Sequence, residues 1–487
     1  MVTNSTTIQH KPSFLQLPGE ILEDILSELD LPRDLISLAL VCRAAKNLVI
    51  PRHSEYRVIR THSTAPFLWA HLARRADLAR HIREVQLCAR IDFMVSDRCP
   101  VTLIDRAVDC KLENVEELAR IQNMCQALRH MVRLQVFKWA NGPDGKGDRP
   151  NSACEDLVLR VVSQKASLRH LELAGICGKH VRNGKGSFGY NYPVWDISGL
   201  LSLSLPGSAW FEASNVPHVL RMLERSPNLE FLQLPMEFPR LSECRFPRLK
   251  RVKLPLVTGV VASSSVDMLR VVFLENHPAI EELSWFPIGP VQLSAGSLPS
   301  LKRLMSGRQV IEALEETATL RFIECLDVWG LDSQSLISLK NVHGPSLLKL
   351  KLHSVGSLES LYTLAETFPS IVWLSLPSVY LSHQPTAIEI DDWFNILPRF
   401  AKLEVFRGTG IWAACDDSKP AMHRAIMHLV QLCPNLRQLD HCDIDQKRHD
   451  FNRIKIIREG MEGENVRYEV HRPPQWHLFD AMDGTFD

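Results

Sequence analysis

Gly184-Lys185-Gly186-Ser187-Phe188-Gly189 has the G-x-G-x-x-G spacing of a loop that covers nucleotide phosphates, since glycine lets backbone N–H groups come close to an anion. Phosphoryl transfer needs more than the loop. No Val-Ala-Ile-Lys, His-Arg-Asp or Asp-Phe-Gly run follows to hold phosphate, base and metal, so the segment reads as a surface loop. Cys433, His441, Cys442 and His449 are possible zinc ligands, but zinc sites pair their ligands at tighter spacing, and buried Cys with solvated His is the better reading. His423 and His428 fall on different faces of a helix. There is no H-E-x-x-H, no G-x-S-x-G elbow and no Cys in a catalytic setting. The expectation is no catalytic residue, no cofactor and no metal.

Composition points the same way. Lys plus Arg equals Asp plus Glu at 56 each, so no global field draws the chain to nucleic acid or to a membrane. The Arg-rich stretch around Arg74, Arg75, Arg80 and Arg83 reads as a solvated helix face. No apolar leader or membrane-length apolar run is present, and the 12 Cys are scattered with no C-x-x-C pair. A soluble protein of the cytoplasm and/or nucleus with reduced thiols is expected. At 487 residues the chain exceeds one compact core, which favours a small module joined to a repeated body.

The elements that organise these residues begin near the N-terminus. Leu17, Ile21, Leu22, Ile25, Leu26 and Leu29 form one helical stripe, with Pro18 suited to the first turn. Pro32 ends that helix and Asp34 is placed to cap the next, whose stripe is Leu35, Leu38, Cys42, Ala45 and Val49. Two such short helices cannot build a core alone, so their apolar faces must meet a neighbour.

In order, Leu17-Pro18, Glu20-Ile21, Ile25, Leu29, Asp34-Leu35, Leu38 and Val41-Cys42-Arg43 resemble an F-box, over about residues 14–50. Many F-boxes place Trp two residues after the Arg; Ala45 stands there. The resemblance implies binding to a Skp-type adaptor and, through it, to a cullin, with Leu17, Pro18, Ile21, Ile25, Leu29, Leu35, Leu38 and Val41 as the adaptor face. The chain lacks the ring-type Cys/His array that would recruit a conjugating enzyme directly, so ligase chemistry would belong to partners.

From about residue 80 a second pattern recurs: apolar, two variable residues, apolar, one variable, apolar. Clear copies are Leu168/Leu171/Leu173, Leu200/Leu203/Leu205 and Leu229/Leu232/Leu234. Others start at Leu249, Ile280, Ile323, Leu347 and Ile371, with weaker ones at Ile82, Leu134, Leu301, Leu403 and Leu436. The last two apolar positions alternate as a half-buried strand requires, and helical segments lie between copies, as at 115–129, 216–225 and 421–433. The pattern resembles leucine-rich repeats without their regular Asn or Cys ladder. The implied fold is α/β: a helical F-box followed by an irregular leucine-rich-repeat-like solenoid, with a curved parallel sheet and outer helices.

The expected division is an F-box module at 14–60, a helical connector at 61–80, the solenoid at 81–444 and a C-terminal cap and tail at 445–487. Residues 445–460 read as helix and 465–470 as a last strand. Residues 141–147 read as a flexible loop and 174–199 as an insertion. Of Trp139, Trp210, Trp285, Trp329, Trp373 and Trp412, most read as core, while Trp210 and Trp412 are the candidates for an exposed, target-binding rim. The leading functional expectation is a non-catalytic substrate receptor of a Skp–cullin–F-box ubiquitin ligase whose body holds an unknown target protein. The alternatives are an interaction scaffold outside any ligase and, more remotely, an enzyme with a site in the 174–199 insertion.

Overall fold

The computed structural model describes residues 14–29, 32–50, 52–62, 65–88, 98–100, 103, 114–140, 152–174, 191–256, 264–315, 323–329, 347–353, 357–376, 388–415, 418–445, 450–459 and 465–471. The expectations for 141–147, for Gly184–Gly189, for His449 and for the tail after Pro474 lie outside them. The chain divides into two units, with described residues up to 168 in the first and those from 169 in the second, apart from Ala140.

In the first unit α1 (Gly19–Glu28), α2 (Pro32–Val41) and α3 (Arg43–Val49) come first. They are followed by β1 (Val58–His62), α4 (Pro66–Arg74), α5 (Ala76–Ala79) and β2 (Glu84–Cys88). Then come α6 (Asn114–His130), β3 (Val136–Ala140) and α7 (Ser152–Ser163). Strands β1, β2 and β3 pair in parallel, with Ile59, Val85 and Phe137 in register. Strand β1 extends the repeat ahead of its expected start. Tyr56, just before it, with Ile59 and Thr61 take the triplet positions and are buried, as are Arg57 and Arg60; Tyr and Thr in place of Leu hid this copy in the sequence.

The second unit runs through β4 (His170–Ala174), β5 (Ser202–Ser204), α8 (Val216–Glu224), β6 (Phe231–Gln233) and β7 (Arg251–Leu254). Next are α9 (Ser264–Glu275), β8 (Glu282–Trp285), β9 (Arg303–Gly307), α10 (Arg308–Glu315) and β10 (Cys325–Trp329). These lead to β11 (Lys349–Leu352), α11 (Leu358–Thr367), β12 (Trp373–Ser375), α12 (Ile390–Ile396) and β13 (Val405–Arg407). The unit closes with α13 (Gly410–Ala413), α14 (Lys419–Leu432), β14 (Gln438–Asp445), β15 (Asp450–Glu459) and β16 (Asn465–His471).

Strands β4 to β14 pair in parallel in chain order, which needs a crossover between each pair and so places helices or irregular returns there. Leu171, Leu203, Leu232, Val252, Leu283, Leu304, Leu326, Leu350, Leu374, Phe406 and Leu439 form a continuous in-register row, and all are buried. These are the middle residues of the repeated triplets, and each such burial is worth about 1.5–3 kcal/mol against exposure. The architecture is leucine-rich-repeat-like, α/β.

A repeated main-chain contact marks the strand entries. Glu230 N–H and Phe231 N–H both donate to Leu201 O, at 2.8 and 3.1 Å. The same pair of donors meets one carbonyl at Arg169, Glu230, Lys250, Glu281, Lys302, Glu324, Leu348, Val372 and Glu404. Each strand entry is thereby fastened to the previous one by main-chain atoms, which any residue type supplies. This leaves the side chains at the turns free to vary.

The C-terminal end departs from expectation. Residues 450–459 form a strand, β15, paired antiparallel with β14 and β16, where a helix was expected. Ile454 and Ile456 are buried on one side while Lys455 points out, a period of two that β-branched residues favour. The last parallel strand thus pairs with an antiparallel partner. Residues 465–471 form a strand, as expected.

Candidate functional site

The first three helices share a small core of Leu26 from α1, Leu35 and Ala39 from α2, and Val49 from α3, with Leu29, Leu38 and Leu48 packed against it. The chain leaves α1 at Leu29 and enters α2 directly at Pro32. Proline's fixed φ and missing N–H suit a first turn, so Asp34 lies inside that turn and not at the cap. The second apolar stripe is broken at Cys42, whose Sγ accepts from Ala45 N–H at 3.4 Å and starts α3 as a separate helix. Ala45 is itself buried, packed where many F-boxes carry Trp.

Both α1 and α2 also turn an apolar row to solvent. On and before α1 the exposed residues are Phe14, Leu17, Ile21 and Ile25; on α2 they are Ile36 (56% exposed), Leu40 (80%) and Val41. The expected adaptor residues Leu17, Pro18, Ile21, Ile25 and Val41 are therefore accessible. Leu35 is not: at 2% exposure it belongs to the internal core, and Leu29 and Leu38 pack against that core beside it. Beside Val41, the accessible apolar residues of α2 are Ile36 and Leu40, one step around the helix from Leu35. Sequence reasoning missed them because α2 is apolar on two faces, and periodicity alone does not say which face is turned inward.

Polar contacts fasten α1 to its own unit. Glu23 accepts from Arg52 at 3.2 Å and lies 3.0 Å from His53 Nε2 and 3.4 Å from His81 Nδ1. Asp24 pairs with Arg133 at 3.3 Å, and the Arg57 guanidinium donates to Leu29 O at the end of α1. Both imidazoles are buried, and burial holds His53 below the usual range and His81 down at about 4. Burial alone would raise the Glu23 carboxyl, but its histidine partners and the Arg52 hydrogen bond bring it below the ordinary value.

The three ligand atoms of Glu23, His53 and His81 lie within 4.8 Å of one another, a donor set that suits a divalent cation. The other Glu23 oxygen is taken by Arg52, and His81 Nε2 accepts from Arg80 at 3.2 Å. With those cations in place the cluster acts as a hydrogen-bonded clamp on α1, beside an open pocket of about 580 Å³ lined by Glu20, Glu23, Asp24, Arg52, His81 and Arg133. Sequence spacing gave no signal for it, because its members come from three separate segments. Cys433 is buried, and burial pushes its thiol up to about 11. Among the described residues no helix is long and apolar enough to cross a membrane.

On the repeats, Trp210 and Trp412 are 1% and 0% exposed, which corrects their expected place on a rim. Trp210 lies in the 3-10 turn Ser208–Phe211 and packs edge-on to Trp195, with centroids 6.1 Å apart. The Trp412 indole N–H donates to Asp440 O at 2.6 Å. Trp139, Trp285 and Trp373 are core residues as expected, and the exposed tryptophan of the set is Trp329, at 52%. Strand parity puts Trp329 on the side opposite Leu326 and Val328, but Cys325 and Asp327 share that side and are buried, so parity alone did not give its exposure.

The F-box-like family model matches residues 14–50. No curated protein matches the chain. Among solved structures, the chain is similar to one in a TLR13-ssRNA13 complex, at 17% identity and a TM-score of 0.31, over 58% of this chain and 37% of that chain. The repeat architecture rests on the strand register described above. With α1 to α3 lying inside the matched segment, the chain carries an F-box-like domain at residues 14–50.

Proposed function

We propose that this chain is the substrate-recognition subunit of a Skp–cullin–F-box ubiquitin ligase, acting in the cytoplasm or nucleus. The observation that carries the reading is an F-box-like domain in which Leu17, just before α1, Ile21 and Ile25 on α1, and Ile36, Leu40 and Val41 on α2 are exposed. Each such side chain covered by a partner is worth about 1.5–3 kcal/mol, so a surface of this kind favours a docked state. The adaptor binds there and brings the cullin, while the repeat body holds a target protein. The contribution of the chain is proximity, with the transfer chemistry supplied by partners. The division into 14–60, 61–80, 81–444 and 445–487 is part of this proposal.

Co-purification of adaptor and cullin with the full chain tests it. Both are expected with the wild type and both should vanish with Ile21→Asp/Ile25→Asp. Adaptor recovered without cullin would instead favour a scaffold outside the ligase.

A further inference from the structure

The outward slots of β7 to β11 carry a local excess of cations. Either side of each central residue stand Arg251 and Lys253, Glu282 and Ser284, Arg303 and Met305, Cys325 and Asp327, and Lys349 and Lys351. Arg303 covers Glu282 at 3.2 Å. The chain as a whole is balanced at 56 to 56, so the excess belongs to this face and not to composition.

The same face holds an aromatic row at the ends of its strands. Trp329 lies flat on His353, centroids 4.2 Å and planes 21° apart, and Phe286 meets Trp329 edge-on at 6.1 Å. Gly307, paired with Trp329 across β9 and β10, puts no side chain between Phe286 and the indole. Beneath them Asp327 is fully buried, its oxygens 2.7 Å from His353 Nε2 and 3.5 Å from Lys351 Nζ. A buried carboxylate is costly to place in a strand, and this one fixes the orientation of an imidazole and an ammonium at the surface. Trp is the side chain that gains most from being covered, yet here it is held half-exposed on a built support.

We propose that this face binds an acidic, extended segment of a partner protein. Its carboxylates lie against Lys349, Lys351, Arg251 and Lys253, and one aromatic or aliphatic side chain covers Trp329. Five strands at about 4.8 Å spacing span roughly 19 Å, the reach of about six extended residues. A nucleic-acid strand is disfavoured because Glu282 and Asp327 interrupt the cations, whereas a phosphate backbone calls for an unbroken basic track. The inference rests on the repeat body being a target-binding surface and is independent of adaptor docking.

The test is fluorescence anisotropy of the full chain with a labelled twelve-residue peptide of Asp, Glu and Tyr. Saturable binding that weakens with added salt is expected. Arg251→Glu/Lys349→Glu, which leaves the partners of Asp327 in place, should weaken it about tenfold or more. Trp329→Ala should weaken it about tenfold, while Phe67→Ala, an exposed residue of the first unit, should leave it unchanged. Circular dichroism confirms that each variant is folded. No binding of the acidic peptide overturns the proposal, as does equal binding of a Lys-rich peptide, tighter binding of a poly(dT) oligonucleotide, or unchanged affinity in the folded charge-reversal variant. Adaptor capture is scored on the same preparations, so lost peptide binding with adaptor retained rejects this inference and leaves the ligase reading standing.

Discussion

Leu35 and Ile36 are neighbours on α2 and face opposite environments: Leu35 is 2% exposed in the core of the helical module, and Ile36 is 56% exposed to solvent. That single step around the helix separates what holds the module together from what it turns to solvent.

The two residues should fail in different ways. Ile36→Asp/Leu40→Asp should abolish adaptor capture in a pull-down while leaving the thermal midpoint within a degree or so, because surface changes usually fall within about 0.5 kcal/mol. Leu35→Ala should cost about 2–5 kcal/mol of stability in the module, read as protease sensitivity of the N-terminal segment. Capture that survives the Ile36/Leu40 change would remove α2 from the docking face.

The Glu23–His53–His81 clamp should make the first unit acid-sensitive. A histidine whose folded pKa lies below its unfolded value of 6.5 binds its proton more tightly in the unfolded chain. Its contribution is therefore fully present above pH 6.5 and lost as pH falls toward about 4, the folded value of His81. The lowered Glu23 carboxyl adds to the loss at the acidic end of that window, as pH falls through its own folded pKa. Thermal melts at pH 7.5 and 5.0 should show a drop that His53→Gln/His81→Gln flattens. A pH-independent wild type would sink the idea.

Arg270 is buried on α9, where it donates to Met236 O at 2.6 Å and to Phe238 O. Burial brings its guanidinium down to about 10. Arg270→Leu strands two buried carbonyls and should cost about 1–3 kcal/mol each before any packing loss. Denaturation of the full chain should shift to lower urea, while adaptor capture through residues 14–50 stays intact.

Gly408 sits at φ +115°, and a Cβ there would meet Leu376 O at 2.6 Å. Its N–H also donates to Asp440 at 2.9 Å, which joins the ends of β13 and β14. Gly408→Ala combines a disfavoured conformation with a backbone clash and should destabilise by about 1–3 kcal/mol or more, measured by thermal melting. Gly296→Ala, at φ +80° with open space around it, should cost less.

The triplet spacing alone determined where the strands from β2 to β14 lie, because an apolar, x-x, apolar, x, apolar run buries three side chains on one face wherever it is stacked. The Leu-Pro start and the Val-Cys-Arg end likewise marked the helical module. Tertiary structure decided what local pattern leaves open. It chose which of two apolar faces of α2 is inward, since that depends on Leu26 and Val49 from other helices. It buried Trp210 and Trp412 by folding their turns back against Trp195 and Asp440, contacts set by residues distant in sequence. It assembled Glu23 with His53 and His81, and Trp329 with His353 and Asp327, from separate segments. Strand periodicity fixes the side to which a residue points, but only the packed neighbours decide whether that side meets protein or water.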